Sequence, residues 1–354
     1  MATIVTSATE DTAPVTGPHV TEHAITVSAP PDAVYALVAD VSGWPQVFGP
    51  TVHVEVLEEK AGDGPDGTGE QLLRIWALAN DQVRTWTSRR VLDPRARTIT
   101  FRQVVSAAPV ATMGGTWRVE PVDDGTTRVV LLHDYRAIDD DPKAEELIER
   151  AVDRNSVAEL AALKKAAELG SGADELQLTF SDSVTVDGAA ADVYAFLDRA
   201  DLWPERLPHV ARLDLTEDEP GIQHMDMDTR SPDGSLHNTT SVRVCFEDRK
   251  QIVYKQLRVP VAMRVHTGRW TIEPSGDENT GNTGNTGNTE NAGGTLTVTS
   301  WHTVVLDPEG VRAALGPDAT IAEARALVRR TLGANSSTTL RHAKQFAEDM
   351  HVRT

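Results

Sequence analysis

Cysteine is almost missing from this chain: Cys245 is the only one in 354 residues. An intrachain disulfide is therefore excluded, and so is a zinc or iron–sulfur centre built on cysteine thiolates. No stretch approaches the roughly 20 consecutive apolar residues that a membrane-spanning helix needs. The opening MATIVTSATEDTAP has neither a basic start nor an apolar run of signal-peptide length. Positive charge is scarce as well, with 34 Lys and Arg against 53 Asp and Glu and a net charge of −19. That sign is wrong for a general binder of nucleic acid or anionic membrane, so neither is expected as a partner. Phosphate-binding loops and nucleophile elbows are missing, and no metal site is expected. A soluble, cytoplasmic protein is the expectation.

What is present is repetition. The chain exceeds the roughly 250–300 residues at which a single core stops growing, which makes two domains the default. AVYALVADVSGWP at 33–45 returns as DVYAFLDRADLWP at 192–204, pairing Tyr35 with Tyr194 and Trp44 with Trp203, 159 positions apart. Thr98–Phe101 pairs with Gln251–Tyr254, and Gly115-Thr-Trp117 with Gly268-Arg-Trp270, 153 apart. Asn155-Ser156, Leu160 and Lys164 pair with Asn335-Ser336, Leu340 and Lys344, 180 apart. Offsets that change only at loops are those of a duplication with insertions.

Residues 1–17 are rich in Thr, Ala and Pro and read as a flexible tail. A strand from His19 ends at Pro30-Pro31, which opens a short helix with Val34, Leu37, Val38 and Val41 on one stripe, closed by a Trp-Pro corner. Strand-like runs begin at Val52, Glu70, Val83, Thr98 and Thr127, with another around Trp117, separated by turn sequences such as LDPRAR and VDDGTT. The segment from Pro142 to Leu169 places Ile148, Val152, Ser156, Leu160, Leu163 and Ala167 on one side, as a long amphipathic helix requires. The expected division is a first domain at 18–170, a linker at 171–177 and a second domain at 178–354. Within the second, the low-complexity run 279–294 reads as a disordered loop. Each domain is α+β: a curved antiparallel sheet wrapped around a long C-terminal helix, the helix-grip arrangement, with a cavity between the two as the default ligand site.

With EHAITVSAPPDAVYALVADVSGWPQVF at its start, WTSRRV at Trp86–Val91 and Asn155 in the long helix, the chain resembles the START/Bet v 1-like superfamily and, within it, the polyketide aromatase/cyclases. Two such units in tandem look like the di-domain aromatase/cyclases of type II polyketide synthases. The resemblance implies a cofactor-independent enzyme of aromatic polyketide (antibiotic) biosynthesis. It would direct first-ring aldol cyclisation and dehydration of a ketoreduced poly-β-ketone held on an acyl carrier protein, beside other components of the synthase. An alternative keeps the fold and drops the chemistry: a START-like carrier of a lipid or hydrophobic metabolite.

In a strand Trp86, Ser88 and Arg90 point to one face. Facing the cavity, they line it with an aromatic wall, a hydroxyl and a guanidinium. Facing outward, or paired with a core carboxylate, Arg90 is structural. Parity leaves both readings open; the resemblance places Ser88 and Arg90 in the active site. Ser241 and Arg243 hold those places in the second copy, where Thr239 replaces the tryptophan. His133, and His302 in a similar place, suit proton transfer near neutral pH. The catalytic candidates are thus Arg90, Ser88, His133, Arg243 and Ser241. Candidate substrate contacts are Trp86, Trp44, Trp76, Trp203, Asn155, Asn335 and Thr51, the last standing near a position where the family has a tyrosine. Core packing for the tryptophans, and strand capping for the asparagines, are equally open readings. An acidic carrier protein calls for a basic mouth, with Arg95, Arg97 and Arg102 or Arg249, Lys250 and Lys255 as candidates, unless these are only solvated strand ends.

Overall fold

A computed structural model describes residues 18–60, 62, 67–79, 82–170, 172–230, 234–275 and 294–353. The tail expected at 1–17 and the loop expected at 279–294 lie outside the described residues, Gly294 excepted. The first repeat runs β1 (His19–Val27), α1 (Pro31–Ala39), α2 (Trp44–Val47), β2 (Thr51–Lys60), β3 (Gly69–Ala79), β4 (Gln82–Asp93), β5 (Thr98–Val105), β6 (Val110–Asp123), β7 (Thr126–Ala137) and α3 (Pro142–Leu169). After α4 (Gly172–Leu176), in the segment expected to be linker, the order repeats. It runs β8 (Gln177–Gly188), α5 (Ala190–Asp198), α6 (Trp203–Arg206), β9 (Val210–Glu219), β10 (Ile222–Arg230), β11 (Leu236–Phe246), β12 (Gln251–Arg258), β13 (Met263–Pro274) and β14 (Gly294–Leu306). Helices α7 (Pro308–Leu315) and α8 (Ile321–Arg353) close the chain.

Both sheets have seven strands in equivalent order, β1-β7-β6-β5-β4-β3-β2 and β8-β14-β13-β12-β11-β10-β9. Each is a meander whose last strand is flanked by the first, as short turns between strands require. A β-bulge recurs at the same step of both: Val104 on β5 is the extra residue opposite Thr87–Ser88, and Leu257 on β12 is the extra residue opposite Thr240–Ser241. Bulges bend the strand and raise its twist, and here they sit beside the candidate serines.

The amphipathic stripe of α3 supplies one wall of the core. Ile148, Val152, Ser156, Leu160, Leu163 and Ala167 are all buried. Ile148 and Val152 pack on Tyr135 and Ala137 of β7, which fixes the helix-facing side of the first sheet. In the second, Leu340, Ala343 and Ala347 of α8 pack with Trp270, Ile272 and Val298. Equivalent lysines pin each helix to the first strand of its sheet: Lys164 donates to the Thr26 carbonyl and Lys344 to that of Thr185, each at 2.7 Å. This is the α+β helix grip, twice.

Spatial clustering cuts the chain differently from the repeat. One compact unit holds the described chain up to Tyr35 with Val56–Arg74 and Trp86–Lys164; the other holds Ala36–Glu55, Ile75–Thr85 and everything from Lys165 onward. The second unit thus includes the first Trp-Pro corner. Within it, Val52, Trp76 and Val83 share an apolar cluster with Ile222, Val242 and Val244. Lys255 on β12 is buried, and its ammonium donates to the carbonyls of Pro45, Phe48, Gly49 and Thr51 at 2.7–3.0 Å. Burial pushes that ammonium down to about 7, while the four carbonyl dipoles stabilise its charged form.

Candidate active site

The WTSRRV strand alternates as its spacing predicts. Ser88 and Arg90 are 4% and 2% exposed, whereas Arg89 between them reaches Glu58 and Glu70 on the outer side. Trp86, on the same parity as Ser88, is half-buried. Residues directly opposite in antiparallel strands share a face. Arg90 stands opposite Phe101, Phe101 opposite Gly115, and Gly115 opposite His133, so one row crosses β4, β5, β6 and β7. His133 is on the helix-facing side, since its Nδ1 lies 3.3 Å from Ser156 Oγ on α3. The whole row therefore faces the helix.

Each member of the row is held by its surroundings. Gln71 Oε1 accepts from Arg90 Nε and Nη2 at 2.7 and 2.5 Å. Gln71 also lines a cavity of about 260 Å³ with Tyr35, Lys60, Glu70, Leu92 and Pro94. Ser88 Oγ donates to the Arg102 carbonyl at 3.2 Å. The ring of Phe101 lies edge-on to His133, with centroids 5.5 Å apart, above the bare backbone of Gly115. A Cβ on that glycine would fall 2.7 Å from the phenyl ring and 2.0 Å from the Leu132 carbonyl oxygen. Burial pushes His133 down to about 4, with His23 adding to the effect, so the imidazole is neutral and able to accept a proton.

Two polar groups of this unit escaped sequence reasoning. Glu159, one turn beyond Ser156 on α3, is half-buried. Burial alone pushes its carboxyl up to about 7. Tyr35 carries a buried hydroxyl with no hydrogen-bond partner among the described residues. Burial raises its pKa, opposed by the charge of Arg90. A signal existed for the tyrosine, since Tyr35 and Tyr194 head the repeated stretch, and Tyr194 likewise feels Arg243. Glu159 had none, because its partner in the repeat is Thr339.

The second unit repeats the row with changes. Arg243 stands opposite Tyr254, Tyr254 opposite Gly268, and Gly268 opposite His302. Arg243 is 3% exposed and bonded to scaffold: it donates to the Leu197 carbonyl at 2.7 Å and to Met225 Sδ at 3.6 Å, and lies over the Trp203 ring. Ser241 is half-buried.

Several expected substrate contacts are placed elsewhere. Trp76 packs against Phe246 and His53 in the apolar cluster of the second unit, which makes it a core residue. Asn155 is exposed, because it lies one residue, or about 100°, away from the buried stripe; its neighbour Ser156 faces inward and meets His133. Asn335 is half-buried, and there Ser336 faces in, donating to Asp182 at 2.8 Å. Trp44 and Trp203 are structural at their indole N–H groups, which donate to the Val38 and Phe196 carbonyls, each at 3.2 Å, tying the corner to the preceding helix. Thr51 is buried, and its carbonyl is one of the four around Lys255.

The basic candidates for a mouth are mostly neutralised. Arg97 bonds Asp32, Arg102 bonds Asp134, Arg249 bonds Glu55, Lys250 lies over the Tyr194 ring, and Lys255 is interior. Among the described residues no helix is long and apolar enough to span a membrane, and no His, Cys, Asp or Glu cluster is arranged to hold a metal ion.

Comparison with known proteins agrees with this architecture. A family model described as polyketide cyclase / dehydrase and lipid transport matches residues 18–168 and again 177–334. The granaticin polyketide synthase bifunctional cyclase/dehydratase of Streptomyces violaceoruber is 44% identical over 333 residues, covering 93% of this chain and 94% of that protein. Its actinorhodin counterpart from Streptomyces coelicolor is 43% identical over 341 residues, covering 94% and 98%. Among solved structures, the di-domain ARO/CYC BexL from the BE-7585A biosynthetic pathway superposes with a TM-score of 0.78 at 48% identity, covering 93% of this chain and 99% of that one. The di-domain ARO/CYC StfQ from the steffimycin pathway gives 0.77 at 35% identity, covering 94% and 99%.

Proposed function

The chain belongs to the polyketide cyclase / dehydrase and lipid transport family, and we propose that it closes and aromatises the first ring of a ketoreduced poly-β-ketone carried on an acyl carrier protein. The observation that carries this reading is the row Arg90–Phe101–Gly115–His133 on the helix-facing side of the first sheet. It sets a buried cation in line with a neutral imidazole. At about 4.8 Å per strand, three steps set the ends of the row roughly 14 Å apart across the sheet.

Methylenes between carbonyls are acidic, and many aldol closures compete, so catalysis is mainly selection of one chain conformer at near-attack distance. Arg90 stabilises the enolate and the alkoxide that form as the ring closes, the role of a preorganised oxyanion site. His133, kept neutral by burial and oriented by Ser156, takes the α-proton. Glu159, protonated up to about pH 7, supplies a proton to the alkoxide as the ring closes. Ser88 and Trp86 shape the wall beside Arg90. Aldol closure and loss of water are redox neutral, and the residues named provide for the protons moved in ring closure.

The test is Arg90→Ala in a synthase reconstituted with the full chain. First-ring product should fall about 100-fold, the usual loss for an oxyanion donor, with spontaneously cyclised shunt compounds in its place. An unchanged product spectrum would overturn the mechanism. A lipid or metabolite carrier, the other activity named for the family, would bind aromatic product and leave that spectrum the same with or without the protein.

A further inference from the structure

The second unit holds a buried acid–base cluster that the first lacks. Tyr254 occupies the place of Phe101, and His266 the place of Met113, each 153 positions later. The Tyr254 hydroxyl lies 2.9 Å from His302 Nδ1 and 3.4 Å from His266 Nε2, and the two imidazoles approach to 3.1 Å between those same nitrogens. Ser300 Oγ lies 3.2 Å from His302 Nε2. His266 and His302 are 2% and 5% exposed. All three groups are on the helix-facing side, since Ile252, Trp270, Ile272 and Val298 on the same parity of β12, β13 and β14 form the core against α8. Gly268 makes the arrangement possible: a Cβ there would stand 2.3 Å from the phenol oxygen.

Proton counting assigns the roles. His266 Nδ1 is buried without a partner, so its proton belongs on Nε2, where an acceptor is at hand. The single lone pair on His302 Nδ1 can then take a hydrogen bond from His266 or from Tyr254, but not fully from both. The phenol is the nearer donor, at 2.9 Å, and its oxygen can accept from His266 Nε2 at 3.4 Å. The proton shared with His302 Nδ1 is therefore the one set to move; the Tyr254 side chain is half-buried. Arg243, in contrast, is occupied with Leu197, Met225 and Trp203.

We propose that Tyr254 is the catalytic group of a second, dehydrating site, acting on a cyclic β-hydroxy ketone, with His302 and His266 positioning its proton. This rests on the cyclase reading above and assigns the loss of water to the second unit. In the step, the phenol passes its proton to His302 Nδ1 as its oxygen takes the proton on the carbon next to the ketone. The C–O bond to the β-hydroxyl breaks, the C=C bond forms, and the departing hydroxyl takes the proton back through Tyr254, leaving as water. One C–H and one C–O bond are lost, one C=C bond and one water are gained, and no electrons enter or leave.

The test uses the full chain in a reconstituted synthase, following ring closure and water loss separately. Tyr254→Phe installs the side chain that the first unit already tolerates at this place, and should leave ring closure within about twofold of wild type. Loss of water should slow at least tenfold, with the cyclised β-hydroxy ketone accumulating. His302→Gln should give the same accumulation and a changed pH profile. In the folded protein His302 is faced by Tyr254, His266, Ser300 and Phe180, with Asp182 of β8 and Arg329 of α8 nearby. Its pKa lies near 4, so wild-type dehydration should be flat from pH 5 to 8 and fall on an acid limb below pH 5, a limb that His302→Gln should lack and that a purely structural histidine would not set. Water loss at the wild-type rate in Tyr254→Phe overturns the proposal, as does loss of ring closure in that variant. Ring closure no faster with the wild-type protein than without it would instead overturn the parent reading.

Discussion

At the residue scale, this chain separates positions that alternation can assign from positions that only register can. Ser88 and Arg90 were legible because period-two alternation puts them on one face, and a buried arginine demands an acceptor. Their partner across the sheet was not: nothing in the one-dimensional chain says that Arg90 faces Phe101, or that Gly115 clears the way to His133. The repeated Asn-Ser pair divides likewise: the helical stripe put Ser156 inward, where the structure has it, while Asn155, expected to touch substrate, is exposed. Glu159 is the least legible, since a lone glutamate in a Glu-rich helix carries no mark of burial. It therefore bears the sharpest prediction at this scale. An acid whose pKa is raised to about 7 donates below that pH and ceases above it. First-ring closure by the wild-type protein should fall along an alkaline limb near pH 7. Glu159→Gln should lower the rate about 100-fold, as loss of a general acid does, and remove the limb. A pH–rate profile for both proteins decides it; an unchanged limb in the variant removes Glu159 from the mechanism.

At the element scale, the repeated Trp-Pro corner was legible as a recurring stop after a short helix, and in both copies the indole N–H closes that helix in the same way. The partner of the first corner was not legible. Lys255 reads as one more basic residue on a strand, yet its ammonium is surrounded by the carbonyls of Pro45, Phe48, Gly49 and Thr51. These acceptors run from α2 through the turn to the first residue of β2, where the chain leaves the helix. A lysine is suited to that place because its three donors can be shared by clustered oxygens. Lys255→Met keeps the aliphatic stem and removes the donors, leaving buried carbonyls unsatisfied at about 1–3 kcal/mol for the worst affected. For a unit of this size the expected fall in Tm is about 5–10 °C. Trp44 sits in the same corner, so its fluorescence should move to the red. A variant with unaltered Tm and emission would show that water replaces the ammonium without cost.

At the scale of the whole molecule, duplication has kept the scaffold and divided the buried titratable groups unequally, and this has a consequence in acid. The first unit contains His133, with its pKa near 4, and Glu159, with its pKa near 7. The second contains His302 near 4, His266 near 3 and His209, also lowered by burial. A histidine lowered in the folded state binds its proton in the unfolded chain first. Its stabilising contribution is complete above the unfolded value of about 6.5 and is lost as pH falls through the folded pKa. At about 1.4 kcal/mol per pKa unit, a shift of this size carries roughly 3 kcal/mol. Glu159 has the opposite sign: its contribution is complete below about 4.5 and is lost as pH rises toward 7. Between pH 6.5 and 4.5 the two groups of the first unit therefore oppose each other, while the imidazoles of the second unit act together. Carboxylates held low by arginines, such as Asp226 and Asp228 beside Arg212, enter only below about pH 4. Lowering the pH from 7.5 to 5 should thus destabilise the second unit before the first. Calorimetric scans at pH 7.5, 6 and 5 should show one transition moving to lower temperature ahead of the other. Tyr254→Phe should not alter this shift, whereas His302→Gln should reduce it. Transitions that move together, or that stay fixed over this range, would mean that these histidines are hydrated and charged in the folded protein.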